Sequence, residues 1–328
     1  MLAPSYLSKK SQAKSEQITP ACRSQVTVPN WSNTLLLGTV MTIESHTEFL
    51  SIDTPEGRHQ IAWQCWQKDG MDNAPLLICV HGLTRNRHDF DTLAAALTDH
   101  YRVITTDIIG RGESDRVSQP ELYGYPLYVS QMMQLLAHLR EKTGESTVDW
   151  LGTSMGGLIG MMIASSPHSP ITRLIMNDVG PRIPLTALQR LAEYVGKAPI
   201  FSSQKEVEDY LRIVASPFGA LTDAQWQRMA LYSSRQNEQG MWEMNYDPAI
   251  AMAFQGIEAD VDLTSIWDAV ACPVLVIRGQ ESDLLTAEDA KTMTSKKSVQ
   301  LVEIPDVGHA PALMSDDQIG MVRDFLVM

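Results

Sequence analysis

Ser154 lies in Gly152-Thr153-Ser154-Met155-Gly156, a spacing that suits a nucleophile. A serine hydroxyl attacks poorly at neutral pH. It needs a base to take its proton, an acid to orient that base, and donors waiting for an oxyanion. The G-x-S-x-G pattern serves a turn from strand to helix so sharp that its flanking positions must be small, with the serine pushed out at the top of a sheet. Val148-Asp149-Trp150-Leu151 precedes the pattern as a strand and a helical stretch follows it, which is the context required. Taken alone, an exposed serine in a Gly-rich turn is the plainer reading.

Three further segments supply the partners. His81-Gly82-Leu83-Thr84 directly follows a buried apolar run. In such sites one backbone N–H comes from this loop and another from the residue after the nucleophile, which nominates Leu83 and Met155 as oxyanion donors. The plainer reading of His-Gly is a strand-ending turn. Downstream, Arg278-Gly279-Gln280-Glu281-Ser282-Asp283 follows one strand and Pro305-Asp306-Val307-Gly308-His309 the next. Groups at the carboxyl ends of parallel strands gather at one edge of the sheet. His309 is therefore the expected base and Asp283 the expected acid. Asp178 also ends a strand and competes for the acid role; capping the turn Asp178-Val179-Gly180-Pro181 is its alternative.

The elements that must hold these residues alternate along the chain. Phe49–Ile52 and His59–Gln64 alternate apolar and polar residues around Pro55-Glu56-Gly57, reading as an antiparallel hairpin. Leu76–Val80, Tyr101–Thr106, Thr147–Leu151, Ile171–Met176, Pro273–Ile277 and Val299–Ile304 read as strands, the first a continuous apolar run and so a strand buried on both faces. Between them, helices are expected over Asp89–His100, Tyr128–Lys142, Met155–Ser165 and Thr286–Thr294, with a last one over Asp316–Val327. This is the pattern of an α/β fold with a mostly parallel, doubly wound sheet. From Gly180 to Asp268 the rhythm breaks. Helical patterns recur near Leu185–Val195, Lys205–Val214, Asp223–Ser233 and Ala249–Phe254, without a convincing strand. About ninety residues are too many for a bare loop, so an inserted helical cap is expected. The organisation read from this is an N-terminal extension over 1–45, a core over 46–179 and 269–328, and a cap over 180–268.

A net charge of −13 over 328 residues argues against nucleic acid or an anionic membrane as the main partner. Lys9, Lys10, Lys14 and Arg23 near the N-terminus precede no apolar stretch of a secretory signal, and no run reaches the length of a membrane span. Cys22, Cys65, Cys79 and Cys272 lie far apart with no C-x-x-C pair, so no metal site is expected. Cys79 and Cys272 fall in or beside apolar runs and read as buried thiols. A reducing, cytoplasmic compartment suits this cysteine usage. Composition does not speak to oligomeric state.

With Ser154, Asp283 and His309 in that chain order and His81-Gly82 upstream, the sequence from Glu48 onward resembles the α/β-hydrolase superfamily. Asp107-Ile108-Ile109-Gly110-Arg111-Gly112-Glu113-Ser114 is similar to that family's D-x-x-G-x-G-x-S segment, usually structural. The set resembles capped bacterial carboxylesterases and lipases. That resemblance implies a small-molecule ester substrate, an acyl-enzyme on the serine, release by water, and no cofactor. Haloalkane dehalogenases and epoxide hydrolases of the same family place Asp at the nucleophile position, so Ser154 argues against both. The rival within the fold is a carbon–carbon bond hydrolase of the meta-cleavage type, in which Arg85 could pair with a substrate carboxylate. Hydrolysis of short hydroxyacid esters would use Arg85 in the same way; a surface or structural arginine is its plainer reading. A non-catalytic binding protein is the alternative of a different class. Met241, Trp242, Met244 and Phe254 could line an apolar pocket, or simply pack the cap.

Overall fold

A computed structural model describes residues 43–328. The expected extension over 1–45 falls almost wholly outside the described residues, and Cys22 does so entirely. Period-two alternation carries β1 (Ile43–Thr54) and β2 (Gly57–Lys68), which pair antiparallel from Ile43 opposite Lys68 to Thr54 opposite Gly57. The connecting turn is Pro55-Glu56, and Gly57 completes it at φ 123°, in the left-handed half of backbone space where a side chain would be strained. Next come β3 (Leu76–Val80), α1 (Asp91–Leu97), β4 (Arg102–Thr106), α2 (Tyr125–Thr143), β5 (Val148–Thr153), α3 (Met155–Ala164) and β6 (Ile171–Asn177). Helix α2 stops where Gly144 turns left-handed at φ 78° and its N–H bonds back to Arg140 O at 2.8 Å.

The chain then leaves the sheet. It forms β7 (Arg182–Ile183), α4 (Leu185–Ala192), β8 (Ile200–Phe201), α5 (Gln204–Val214) and α6 (Asp223–Ser233). The stretch ends with β9 (Ser234–Gln236), β10 (Trp242–Met244), β11 (Val261–Asp262) and α7 (Thr264–Ala269). The helices fall close to where their apolar spacing placed them. The segment is not purely helical, however: β8, β10 and β9 form a small sheet and β11 pairs with β7. These strands span two or three residues, too few to show an alternating pattern. The core resumes with β12 (Val274–Gly279), α8 (Ala287–Met293), β13 (Val299–Ile304) and α9 (Asp316–Val327).

The main sheet runs in the order β1-β2-β4-β3-β5-β6-β12-β13, antiparallel at β1–β2–β4 and parallel thereafter. Alternate residues of its central strands feed two separate cores. Ile78, Val80, Trp150, Met176 and Val276 face α2 and α3, while Leu77, Cys79, Leu151, Ile175 and Ile277 face α1 and α9. Burial on both faces explains the unbroken apolar runs Leu76–Val80 and Val274–Ile277. The carboxyl ends of β3, β5, β6, β12 and β13 therefore lie along one edge of the sheet, and each parallel strand delivers its loop there.

Candidate active site

Ser154 follows β5 and opens α3 with φ 50° and ψ −112°, a conformation that L-residues rarely adopt. The two glycines of its motif allow this. A Cβ on Gly152 would collide with the Gly156 backbone, and one on Gly156 with the Val80 carbonyl of the neighbouring strand. The turn is also tied from β6: Ser154 N–H donates to Asn177 O at 2.9 Å, and Asn177 Nδ2 donates to Thr153 Oγ1 at 3.0 Å and to Pro311 O at 2.9 Å. One buried amide thus clamps the segment before the serine to the segment after His309.

His309 Nε2 lies 3.0 Å from Ser154 Oγ, and its Nδ1 lies 2.6 Å from Asp178 Oδ2. The structure brings Ser154 and His309 together as their positions required, but the carboxylate on the ring is Asp178 and not Asp283. The reason is local. Asp178 takes φ 57° at the end of β6, beside β5, which turns its fully buried side chain back along the sheet edge. There its Oδ1 accepts from Gly279 N at 2.8 Å and its Oδ2 from Ser282 Oγ at 2.6 Å. Ser282 fills the inward position of the loop after β12, so the next residue, Asp283, points outward. Asp283 pairs with Arg190 of α4 through Nε–Oδ2 at 2.5 Å and Nη2–Oδ1 at 2.8 Å. Gly279 has a part as well, because a Cβ there would strike the carbonyls of Val307 and Gly308, the strip that carries His309 over the end of β12.

The loop after β3 is set by His81. Its ring is fully buried, donates from Nδ1 to Gly82 O at 2.7 Å and accepts Ile108 N–H on Nε2 at 3.0 Å, which fixes a neutral tautomer. Burial pushes its pKa down to about 3. Leu83 lines the cavity beside Ser154, and Met155 stands at the first turn of α3, where backbone N–H groups have no partner inside the helix. Arg111 connects these two residues. It is 1% exposed and donates Nε to Leu83 O at 2.9 Å, Nη1 to Ile109 O at 2.8 Å and Tyr128 Oη at 3.0 Å, and Nη2 toward Met155 Sδ at 3.7 Å. The rings of Tyr128 and Tyr123 face its guanidinium at 4.8 and 5.7 Å, and it makes no ion pair among the described residues. Asp107, at the head of the same segment, is fully buried and takes Arg87, while its Oδ2 accepts Glu113 N at 2.9 Å. These contacts give the D-x-x-G-x-G-x-S segment the architectural part implied by its resemblance.

Ser154 and His309 open on a partly open cavity. Its far wall comes from the segment between β6 and β12, with Leu191, Tyr194, Tyr210, Val214, Phe218 and Met244 among the lining residues. Arg85 also lines it, but its donors are committed: Nε and Nη2 go to Asp89 at 2.9 and 2.5 Å, and Nη1 to Ser233 Oγ at 2.9 Å. Met241 and Trp242, expected as lining residues, are not on the cavity wall, because β10 runs between β8 and β9 and presents only its Met244 end. Sequence reasoning passed over Ser282, Arg190 and Arg111. Ser282 sat in a run already singled out, and an i,i+4 spacing from Arg85 to Asp89 signalled the pair that occupies Arg85.

Comparison with known proteins decides the family. A profile for the alpha/beta hydrolase fold matches residues 75–314. The chain belongs to the alpha/beta hydrolase family. Among curated relatives of this hydrolase is a 3-hydroxybutyrate-oligomer hydrolase of Cupriavidus necator, 39% identical over 287 residues that cover 84% of the chain and 96% of the relative. A solved structure from Rickettsia typhi superposes with a TM-score of 0.78 at 30% identity, covering 87% of this hydrolase and 99% of that chain. An alpha/beta hydrolase from Novosphingobium aromaticivorans gives 0.75 at 30% identity, covering 86% and 98%.

Proposed function

We propose that the chain hydrolyses carboxylic esters through an acyl-enzyme on Ser154, with short hydroxyacid oligoesters as its substrate class. The observation that carries this reading is the unbroken line from Ser154 Oγ through His309 to Asp178 at the floor of a cavity. In the first step His309 Nε2 accepts the serine proton as Oγ attacks the ester carbonyl. Asp178 holds the Nδ1–H and stabilises the imidazolium that forms. The N–H groups of Leu83 and Met155 receive the oxyanion. Collapse of the tetrahedral adduct expels the alcohol, which takes its proton from His309. Water then repeats the sequence on the acyl-enzyme and frees the acid.

The substrate class draws on the Cupriavidus relative, named for 3-hydroxybutyrate oligomers, and on a cavity whose apolar wall suits short aliphatic units. In this reading the segment between β6 and β12 is a cap. Cysteines 65, 79 and 272 are all free thiols, which fits a cytoplasmic location. Among the described residues no helix is long and apolar enough to cross a membrane. Arg85 was the carboxylate anchor of both the carbon–carbon and the hydroxyacid readings, and its pairing with Asp89 and Ser233 withdraws that support from both; the Cupriavidus relative is what favours the hydroxyacid ester.

The test is a panel of p-nitrophenyl esters of increasing chain length, 3-hydroxybutyrate dimer and trimer, and a meta-cleavage dienoate, with Ser154→Ala as control. Turnover of the esters and oligomers is expected, abolished in Ser154→Ala. Turnover of the dienoate without the esters overturns the ester assignment, and full activity in Ser154→Ala overturns the acyl-enzyme.

A further inference from the structure

Two arginines line the cavity with Ser154, and they are held differently. Arg85 is buried, and its carboxylate partner Asp89 lies four residues along the same segment, with Ser233 on the remaining side. That pair is local and closed. Arg190, in the last turn of α4, is paired with a residue from a different part of the fold, Asp283 of the loop after β12. Its side chain is 37% exposed and that of Asp283 48%, so the pair stands at the solvent side of the cavity. Water competes for both partners of a half-exposed pair, although its two-point geometry holds it more firmly than a single surface contact. Tyr194, four residues further along, lines the cavity with Arg190. The planar fork of an arginine accepts any carboxylate in the two-point geometry that Asp283 now occupies. A chain of net charge −13 repels an acid at long range, so an acidic substrate needs a local cation where it lands.

We propose that Arg190 is a carboxylate subsite: the free acid end of an ester substrate displaces Asp283 and pairs with the Arg190 guanidinium while its ester group reaches Ser154. This deepens, and rests on, the ester-hydrolase reading above. Asp283 is then a resting partner and competitor of the substrate, and the two residues have opposite effects on acid binding. Oligomers of hydroxyacids carry one such carboxylate at their acid end, and the subsite distinguishes them from neutral esters of the same length.

The experiment measures binding apart from turnover. In a Ser154→Ala background, calorimetry compares 3-hydroxybutyrate trimer with its methyl ester, before and after Arg190→Gln, Arg190→Lys and Asp283→Asn. Relative to the methyl ester, Arg190→Gln is expected to weaken the acid about tenfold, Arg190→Lys less, and Asp283→Asn to tighten it. If acid and methyl ester shift together, or both residues act in the same direction, Arg190 and Asp283 are only a tie between the cavity wall and the sheet, and the subsite is overturned. Absence of acid binding also overturns it. Acid-selective binding without hydrolysis by the wild type leaves the subsite standing and removes the ester-hydrolase reading. Hydrolysis without acid selectivity does the reverse.

Discussion

Ser282 Oγ donates to Asp178 Oδ2 at 2.6 Å, on the same carboxylate oxygen that faces His309 Nδ1. The proposed acid is therefore oriented from the end of β12 and its loop although it follows β6, with Gly279 N–H on its second oxygen. A carboxylate held at two points presents a fixed acceptor to the imidazole. Asp178→Asn is expected to lower kcat about 10³- to 10⁴-fold by stabilising the wrong histidine tautomer. Asp283→Asn should cost less than tenfold on a neutral ester, and a larger loss there than in Asp178→Asn would reverse the assignment. Ser282→Ala should lower kcat about tenfold, the cost of one hydrogen bond to a charged group, with KM nearly constant.

Gly156 is required by contact with the neighbouring strand more than by its own torsion angles. Any Cβ there meets the Val80 carbonyl of β3, which cannot retreat without breaking its pairing with β4 and β5. Gly156→Ala is expected to destabilise the fold by roughly 2–4 kcal/mol, and to lower activity further by displacing Ser154. Chemical denaturation followed by tryptophan fluorescence measures the first effect. A midpoint equal to wild type would show that the turn relaxes freely.

Arg111 places a positive charge behind both nominated oxyanion donors, with no carboxylate paired to it among the described residues. Arg111→Met removes the donors to three oxygens and the charge together, and is expected to lower kcat roughly 10- to 100-fold with a smaller change in KM. Arg111→Lys keeps the charge but not the fork, and should fall between Met and wild type. Equal losses for Met and Lys would assign the effect to geometry alone.

His81 links acidity to stability. Its folded pKa of about 3 lies below the ordinary histidine value of 6.5, burial being the main cause. Between those two values the unfolded chain binds a proton that the folded chain refuses. The stability this neutral ring confers is complete above pH 6.5 and is lost progressively as pH falls toward about 3. Denaturation midpoints measured across that window should fall with pH in the wild type and fall less steeply in His81→Gln, whose amide can serve the same two partners. Parallel slopes would exclude His81 as the source.

The sheet was largely legible because its strands are short apolar-rich segments between helical patterns, continuous in β3 and at the start of β12, and the helices of the long segment before β12 because their apolar spacing needs no neighbour to be seen. Ser154 and His309 were legible for a related reason: each follows a recognisable strand, and the strand end fixes its place. The acid was not. Two carboxylates, Asp178 and Asp283, end or follow adjacent strands, and the choice between them depends on a left-handed turn at Asp178 and on Ser282 taking the inward position. Neither is a property of residue type. Met241 and Trp242 were misplaced because three-residue strands leave no periodicity from which to read a facing direction.

The groups assigned to bond breaking come from strand ends of the sheet, whereas much of the cavity wall comes from one excursion of the chain between β6 and β12. In the proposed reading, the chemistry and much of the selectivity are thereby written in separate stretches of sequence. Substitutions in the excursion can retune which molecule is received while the reacting atoms keep their places, so a new substrate is reachable through changes that need not disturb the sheet.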